Sequence, residues 1–159
     1  MATATQKKES AIAKLSQFAL ERSKATYPNV PEYAIPRPRY TDRTSNGLTK
    51  CIVDCLNLCG YQAERINSTG RQITIDGTTK WVKGSTENGT ADISATIKGR
   101  SVKIEVKCKA TKDNCQSQDQ KDYQRKIEQA GGVYVIARDF EGFYTWFKTF
   151  IKKTNGQFR

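Results

Sequence analysis

Gly89-Thr90-Ala91-Asp92-Ile93-Ser94-Ala95-Thr96-Ile97-Lys98-Gly99-Arg100-Ser101-Val102-Lys103-Ile104-Glu105-Val106-Lys107 has the pattern of two strands joined by a tight turn. Ala91 to Ile97 is rich in β-formers, and Ser101 to Lys107 alternates polar and apolar residues at period two. Between them, Lys98-Gly99-Arg100 holds a glycine able to take the positive φ of a hairpin turn. The alternation places Lys103, Glu105 and Lys107 on one face of the second strand and Val102, Ile104 and Val106 on the other. On the first strand Asp92, Ser94 and Thr96 oppose Ile93, Ala95 and Ile97. A two-residue loop at Lys98-Gly99 sets Asp92 opposite Glu105, and one at Gly99-Arg100 sets it opposite Lys107. Both bring the three charged residues to one face. A three-residue loop or a bulge would separate them, because a one-residue slip exchanges the faces of a strand.

Two adjacent carboxylates repel, and a cation between them keeps both ionised. Hard oxygens that leave room for water and phosphate suit Mg²⁺ or Mn²⁺. Such an ion polarises a scissile phosphate and lowers the pKa of an attacking water, and a neighbouring lysine orients that water or offsets growing charge. The competing reading of Glu105 and Lys107 is a solvated ion pair on an exposed strand face.

Gly89-x-x-Asp92-Ile93, then Glu105-x-Lys107, then Gln120 at the opening of a helix, resembles the PD-(D/E)XK phosphodiesterase superfamily, in particular its VRR-NUC and Holliday-junction-resolvase-like branches, which are often phage-encoded. The likeness spans roughly Leu48 to Phe150. It takes in a helix ending at Cys59-Gly60-Tyr61, a strand with Glu64-Arg65-Ile66-Asn67, and Gly131-Gly132-Val133-Tyr134-Val135. The resemblance implies metal binding by Asp92, Glu105 and the Val106 carbonyl, service of the nucleophile by Lys107, and support of the site by Gln120. One departure stands out. Many such proteins carry a glutamate near the start of the first core helix, where this chain has Thr44-Ser45-Asn46-Gly47-Leu48-Thr49-Lys50. Asn46, Glu64 and Glu87 are the residues left to stand in for it.

Composition fits that picture. The chain has 159 residues, 36% of them hydrophobic, enough for one core, and its net charge of +11 points to a polyanion, with nucleic acid first. No segment has membrane-spanning length and Met1 to Ser10 lacks a signal-like apolar stretch, so a cytoplasmic location and no membrane partner are expected. With no histidine, a histidine base and imidazole metal ligands are excluded. Five cysteines are an odd number; Cys51, Cys55 and Cys59 recur at helical spacing and fit small buried hydrophobes. A zinc or iron–sulfur site completed by Cys108 or Cys115 has no recognised ligand spacing.

Along the chain, Thr5 to Ala25 is expected to be a helix with an apolar stripe of Ile12, Leu15, Phe18 and Ala19 among Lys7, Lys8, Lys14, Arg22 and Lys24. It suits docking on the core or a second subunit, or contact with phosphates. All four prolines lie between Pro28 and Pro38 in an extended connector. Its Arg37, Arg39 and Arg43, interleaved with Tyr33 and Tyr40, suit either a nucleic-acid backbone or wrapping of the core. These segments form a unit over 1–45, followed by a nuclease-like domain over 46–159. That domain is expected to hold a helix from Leu48 to Leu58 closed by Gly60 and a strand from Gln62 to Ile66. A hairpin follows from Arg71 to Asp76 and Lys80 to Lys83, on which Trp81 is core or a base-stacking platform. Ser85 to Thr90 form a loop, Ser117-x-x-Gln120 is a capping box for a helix to Ala130, and Val133 to Ala137 form a buried strand. Asp139 caps a last helix with Phe143, Trp146, Phe147, Phe150 and Ile151 on one side. Since Ser117-x-x-Gln120 is a cap by itself, Gln120 has a reading with no part in chemistry.

The expected fold is α/β, with a restriction-endonuclease-like core: a mixed sheet flanked by helices, preceded by an N-terminal helix and a Pro-rich connector. The expected activity is Mg²⁺- or Mn²⁺-dependent endonucleolytic hydrolysis of DNA, selective for junctions or flaps rather than for sequence. RNA ranks behind DNA as substrate, and a homodimer is expected for a two-fold junction. The alternative is a non-catalytic nucleic-acid-binding module on an inactivated nuclease fold.

Overall fold

A computed structural model of the chain describes residues 9–67, 70–82, 84, 87–112 and 115–155, leaving aside the side chains of Arg71 and Asn155. The expected helix start at Thr5 to Lys8, Lys83 at the hairpin's end, and Ser85 and Thr86 in the loop lie outside these residues.

The Lys98-Gly99 pair forms the two-residue turn. Lys98 has φ 51° and Gly99 φ 72°, the double positive φ that twists in step with the flanking strands. That turn joins β4 (Ile93–Ile97) to β5 (Arg100–Val106), with Ile97 opposite Arg100 and Ile93 opposite Ile104. β1 (Gln62–Arg65) pairs antiparallel with β4, and β6 (Val133–Ala137) pairs parallel with β5, giving a mixed sheet in the order β1-β4-β5-β6. A separate antiparallel hairpin, β2 (Arg71–Ile75) and β3 (Thr78–Val82), is inserted between β1 and β4.

One face of the sheet is apolar. Ala63, Ile93, Ala95, Ile97, Val102, Ile104 and Val106 are buried there, against Leu48, Cys51, Ile52, Cys55 and Leu56 of α2 (Ser45–Leu58) and Phe140, Phe143 and Phe147 of α4 (Phe140–Asn155). Thr44 caps α2, its hydroxyl accepting from the Gly47 N–H at 3.1 Å, so the helix begins three residues before its first large apolar side chain. α4 is capped twice: Asp139 Oδ1 accepts from the Gly142 N–H at 2.7 Å, and Asp42 Oδ2 from the Phe140 N–H at 3.0 Å. The second of these pins the end of the Pro-rich connector to the core.

α1 (Ala11–Thr26) joins the same core. It starts at Ala11 because Ser10 accepts from the Ala13 N–H, and the Ala11 N–H is held by Glu141 Oε2 of α4 at 2.9 Å. The buried stripe is Ala11, Leu15 and Ala19, turned from the expected one; Phe18 is exposed and Ile12 only half-buried. Small alanines at i and i+8 let the helix lie close, so the docked face is set by fit as well as hydropathy. The connector is extended but for one 3₁₀ turn at Glu32–Ala34, with Ile35 buried. Its two tyrosines separate: Tyr33 is fully exposed, whereas Tyr40 donates to Asp54 Oδ2 at 3.0 Å and wraps the core.

Other expectations need correction. β6 is half-buried rather than buried, apart from Ala137, because it is the edge of the sheet. Trp81 is not core: it is 65% exposed. Cys51 and Cys55 are buried, but Cys59, at the end of α2, is exposed. No helix among the described residues is long and apolar enough to cross a membrane.

Candidate active site

The opposite, polar face of the sheet carries the charged residues, and α3 (Gln118–Gln129), the crossover between β5 and β6, lies over it. Asp92 immediately precedes β4 and Lys107 immediately follows β5, so in an antiparallel pair both fall at the same end of the sheet. The ladder continues past the strands: the Ile66 N–H donates to the Asp92 carbonyl at 2.7 Å and the Lys107 N–H to the Ala137 carbonyl at 2.9 Å. Of the two two-residue registers, the Lys98-Gly99 turn is the one formed, and it brings Asp92 level with Glu105.

Glu105 is the hub. It is 2% exposed, and Lys107, 4% exposed, has its ammonium 3.6 Å from Oε1. Gln120 Nε2 donates to the same Oε1, and the Tyr134 hydroxyl lies 3.4 Å from Oε2. Asp92, half-buried, accepts the Val106 N–H on Oδ2 at 2.8 Å, which fixes its carboxylate against the strand that carries Glu105. A solvated ion pair on an exposed strand face is therefore ruled out for Glu105 and Lys107, since both are buried.

Burial pushes the Glu105 carboxyl up to about 7; the Asp92 charge pushes in the same direction, and Lys107 and Tyr134 only partly oppose it. The Tyr134 hydroxyl is likewise held above its ordinary range by burial and by Glu105.

Gln120 does both things its sequence context allows. Ser117 accepts the Gln120 N–H at 3.3 Å while Gln120 Oε1 accepts the Ser117 N–H at 2.9 Å, completing the capping box. Its Nε2 is left to hold Glu105. The cap locks the rotamer that makes the second contact.

Gly89 delivers the Asp92 limb to this helix. It has φ +75°, and a β-carbon there would lie 2.3 Å from the Asp119 carbonyl carbon and 2.7 Å from the Gln120 nitrogen. The loop thus seats on the first turn of α3, and only glycine permits the approach. Gly89→Ala is expected to destabilise the fold by about 2 kcal/mol, from left-handed strain plus the clash. Gly99→Ala is the control, since Gly99 has φ +72° and nothing within 4 Å, leaving only the strain of about 1 kcal/mol. Equal melting temperatures for the two variants would contradict the close seating.

Tyr134 is the site residue that sequence reasoning missed. The only signal was a lone tyrosine in an apolar strand; its position follows from the parallel register that sets Tyr134 beside Lys103. Lys103, one row from Glu105, donates to Ser94 Oγ at 2.6 Å and adds a second cation to the polar face. The three stand-ins for a helix glutamate fall differently. Asn46 is exposed on the first turn of α2, and Glu87 pairs with Lys126 at 2.6 Å. Glu64 lies across from Ser94, diagonal to Asp92, and is the one of the three that strand register sets on the polar face.

Among the described residues no three of His, Cys, Asp and Glu gather into a group that could hold a metal ion. A pair of carboxylates is nonetheless the usual protein share for Mg²⁺, which keeps several waters and bonds to substrate phosphate. The disfavoured ionisation of Glu105 beside Asp92 fits a site that lacks one positive charge. Compared with known proteins, the chain matches no family model, no curated protein and no solved structure.

Proposed function

We propose that this chain is a metal-dependent endonuclease with a restriction-endonuclease-like core, hydrolysing DNA phosphodiester bonds at the Asp92–Glu105–Lys107 end of its sheet. The observation that carries the reading is a buried glutamate and a buried lysine beside a second carboxylate, in a chain of net charge +11. Burying such groups away from water costs stability, and an apolar pair of similar volume often serves a fold as well or better. A buried carboxyl whose ionisation is disfavoured, beside a second carboxylate, supports a reading of the site as chemical.

Asp92 and Glu105, with the Val106 carbonyl between Glu105 and Lys107 in the chain, would hold Mg²⁺ or Mn²⁺. When bound, the ion supplies a polarised phosphate and an acidified water. The remaining work belongs to the chain. Gln120 and Tyr134 fix the Glu105 carboxylate from two sides. Lys107, held by Glu105, orients the attacking water or offsets charge that grows on the phosphate oxygens. The excess of 27 Lys and Arg over 16 Asp and Glu supplies affinity that is largely independent of sequence. With one small core and no added reading domain among the described residues, selectivity for branched or flapped DNA is favoured, and a two-fold junction would call for a dimer.

The test is incubation of the purified protein with labelled duplex, flap, four-way-junction and matched RNA substrates, in Mg²⁺, in Mn²⁺ and in EDTA. Cutting of DNA that requires metal and favours one branched substrate is the expected result. Binding without cutting in either metal would sink the catalytic reading and leave a basic binding module.

A further inference from the structure

The β2–β3 hairpin is the part of the molecule that the site does not use. Its register puts Trp81 opposite Gln72, and the next pair on that face is Thr74 and Thr79, whose hydroxyls meet at 3.2 Å. The pyrrole side of the Trp81 indole rests on Gly70, where an added β-carbon would lie 2.4 Å from Nε1. The ring is thus held in place, yet 65% exposed. Ile75, 62% exposed, and Val82, 45% exposed, lie on the same short hairpin. Among the described residues these are three of the seven exposed large hydrophobics, with Trp81 on one face of the hairpin and Ile75 and Val82, at its two ends, on the other. A two-stranded hairpin with both faces in water is marginal by itself, so this one is built to be covered.

Three features say what covers it. The segment 70–84 carries Arg71, Lys80 and Lys83 against the single acid Asp76, which favours an anionic partner. The held face is one aromatic ring edged by an amide and hydroxyls, a surface that stacks on a flat ring and hydrogen-bonds its edge. The hairpin is also inserted in the chain between two segments at the carboxylates: Ile66, whose N–H donates to the Asp92 carbonyl, and Gly89, three residues before Asp92. Five-residue strands extend about 15 Å, a span of a few nucleotides.

We propose that the β2–β3 hairpin is an arm that binds unpaired nucleotides, with Trp81 as the stacking platform and Gln72, Thr74 and Thr79 contacting the base edge. It rests on the reading of the chain as a DNA enzyme and specifies which feature of the substrate is engaged. Bases locked in a duplex cannot offer their faces to an indole; those of a flap, a gap or an opened junction can. The arm thereby turns a sequence-independent nuclease into one selective for interrupted duplex.

The experiment measures affinity of the full chain for a labelled single-stranded oligothymidine and for a blunt duplex in EDTA, where no cutting interferes, with Trp81→Ala and Trp81→Phe alongside. Trp81→Ala is expected to weaken single-strand binding on the order of tenfold, with duplex binding within about twofold and an unchanged salt dependence. Trp81→Phe should restore most of the loss, and unchanged circular dichroism and melting would exclude misfolding. Equal loss on both ligands, or no change on either, overturns the proposal; the second is what an arm that docks a protein would give. Should single-strand discrimination through Trp81 stand while no metal supports cutting, only the nuclease reading falls. Should cutting depend on Asp92 while Trp81 has no effect on single strands, only the arm falls.

Discussion

Asp92→Asn is expected to abolish metal-dependent cleavage, lowering the single-turnover rate by about a thousandfold or more, while DNA affinity holds or rises. The substitution keeps shape. The amide oxygen it introduces can still accept the Val106 N–H that Asp92 Oδ2 accepts at 2.8 Å, so the hairpin and its register are retained. What goes is one negative charge at the place where, on the proposed function, a cation and a phosphate would meet. Without it only Glu105 and the Val106 carbonyl would be left to hold a metal, and the site would repel a DNA backbone less. Lys107→Met should lose roughly a hundredfold by removing the ammonium while filling its volume. The two variants separate by metal titration: higher metal concentration should partly rescue Asp92→Asn and do nothing for Lys107→Met. Cleavage by Asp92→Asn at the wild-type rate would leave the carboxylate pair without a role in catalysis.

Much of this site was legible from alternation alone. Period-two patterning from Ser101 to Lys107 forced Glu105 and Lys107 onto the face opposite Val102, Ile104 and Val106, and those apolar residues are buried against the helices. The register was open between two loops, because sequence marks Gly99 but not which neighbour shares the turn. Lys98, at φ 51°, settles it, and lysine is not a residue that announces positive φ. What no pattern could supply was depth. Lys103, Glu105 and Lys107 repeat identically along the strand, yet Lys103 is half-buried and the other two are buried. The difference comes from what packs on each side chain: Gln120 in the first turn of α3 and the Tyr134 hydroxyl, brought by the parallel pairing of a strand about thirty residues away, both reach Glu105, whereas Lys103 meets Ser94. Trp81 failed in the opposite sense. Hydrophobicity favoured the core, but among the described residues no second layer packs on the hairpin that carries it, and so the ring is exposed.

Glu105→Gln is expected to stabilise the metal-free protein at pH 8 by about 3 kcal/mol, and by little at pH 5. The sign follows from the direction of the shift. The folded carboxyl ionises only near 7, because burial and Asp92 oppose its charge, whereas in the unfolded chain it ionises near the ordinary value of 4.5. Below that value both states are protonated and folding costs nothing on this account. As pH rises between the two values the unfolded chain releases its proton while the folded one keeps it, so stability falls; above about 7 the loss is complete. Glutamine mimics the protonated form at every pH, keeps an oxygen for the Gln120 amide, and should flatten this part of the profile. For a chain of this size the gain corresponds to a rise of roughly 2–4 °C per kcal/mol in melting temperature. Added Mg²⁺ should raise the melting temperature of the wild type at pH 8 and leave Glu105→Gln nearly unmoved, since only the charged site gains by binding the ion. A variant less stable than wild type at both pH values would mean that the Glu105 charge holds the fold together through Lys107. A variant more stable at pH 8, and inert as a nuclease, would mean that the fold tolerates a destabilising charge there because the chemistry needs it.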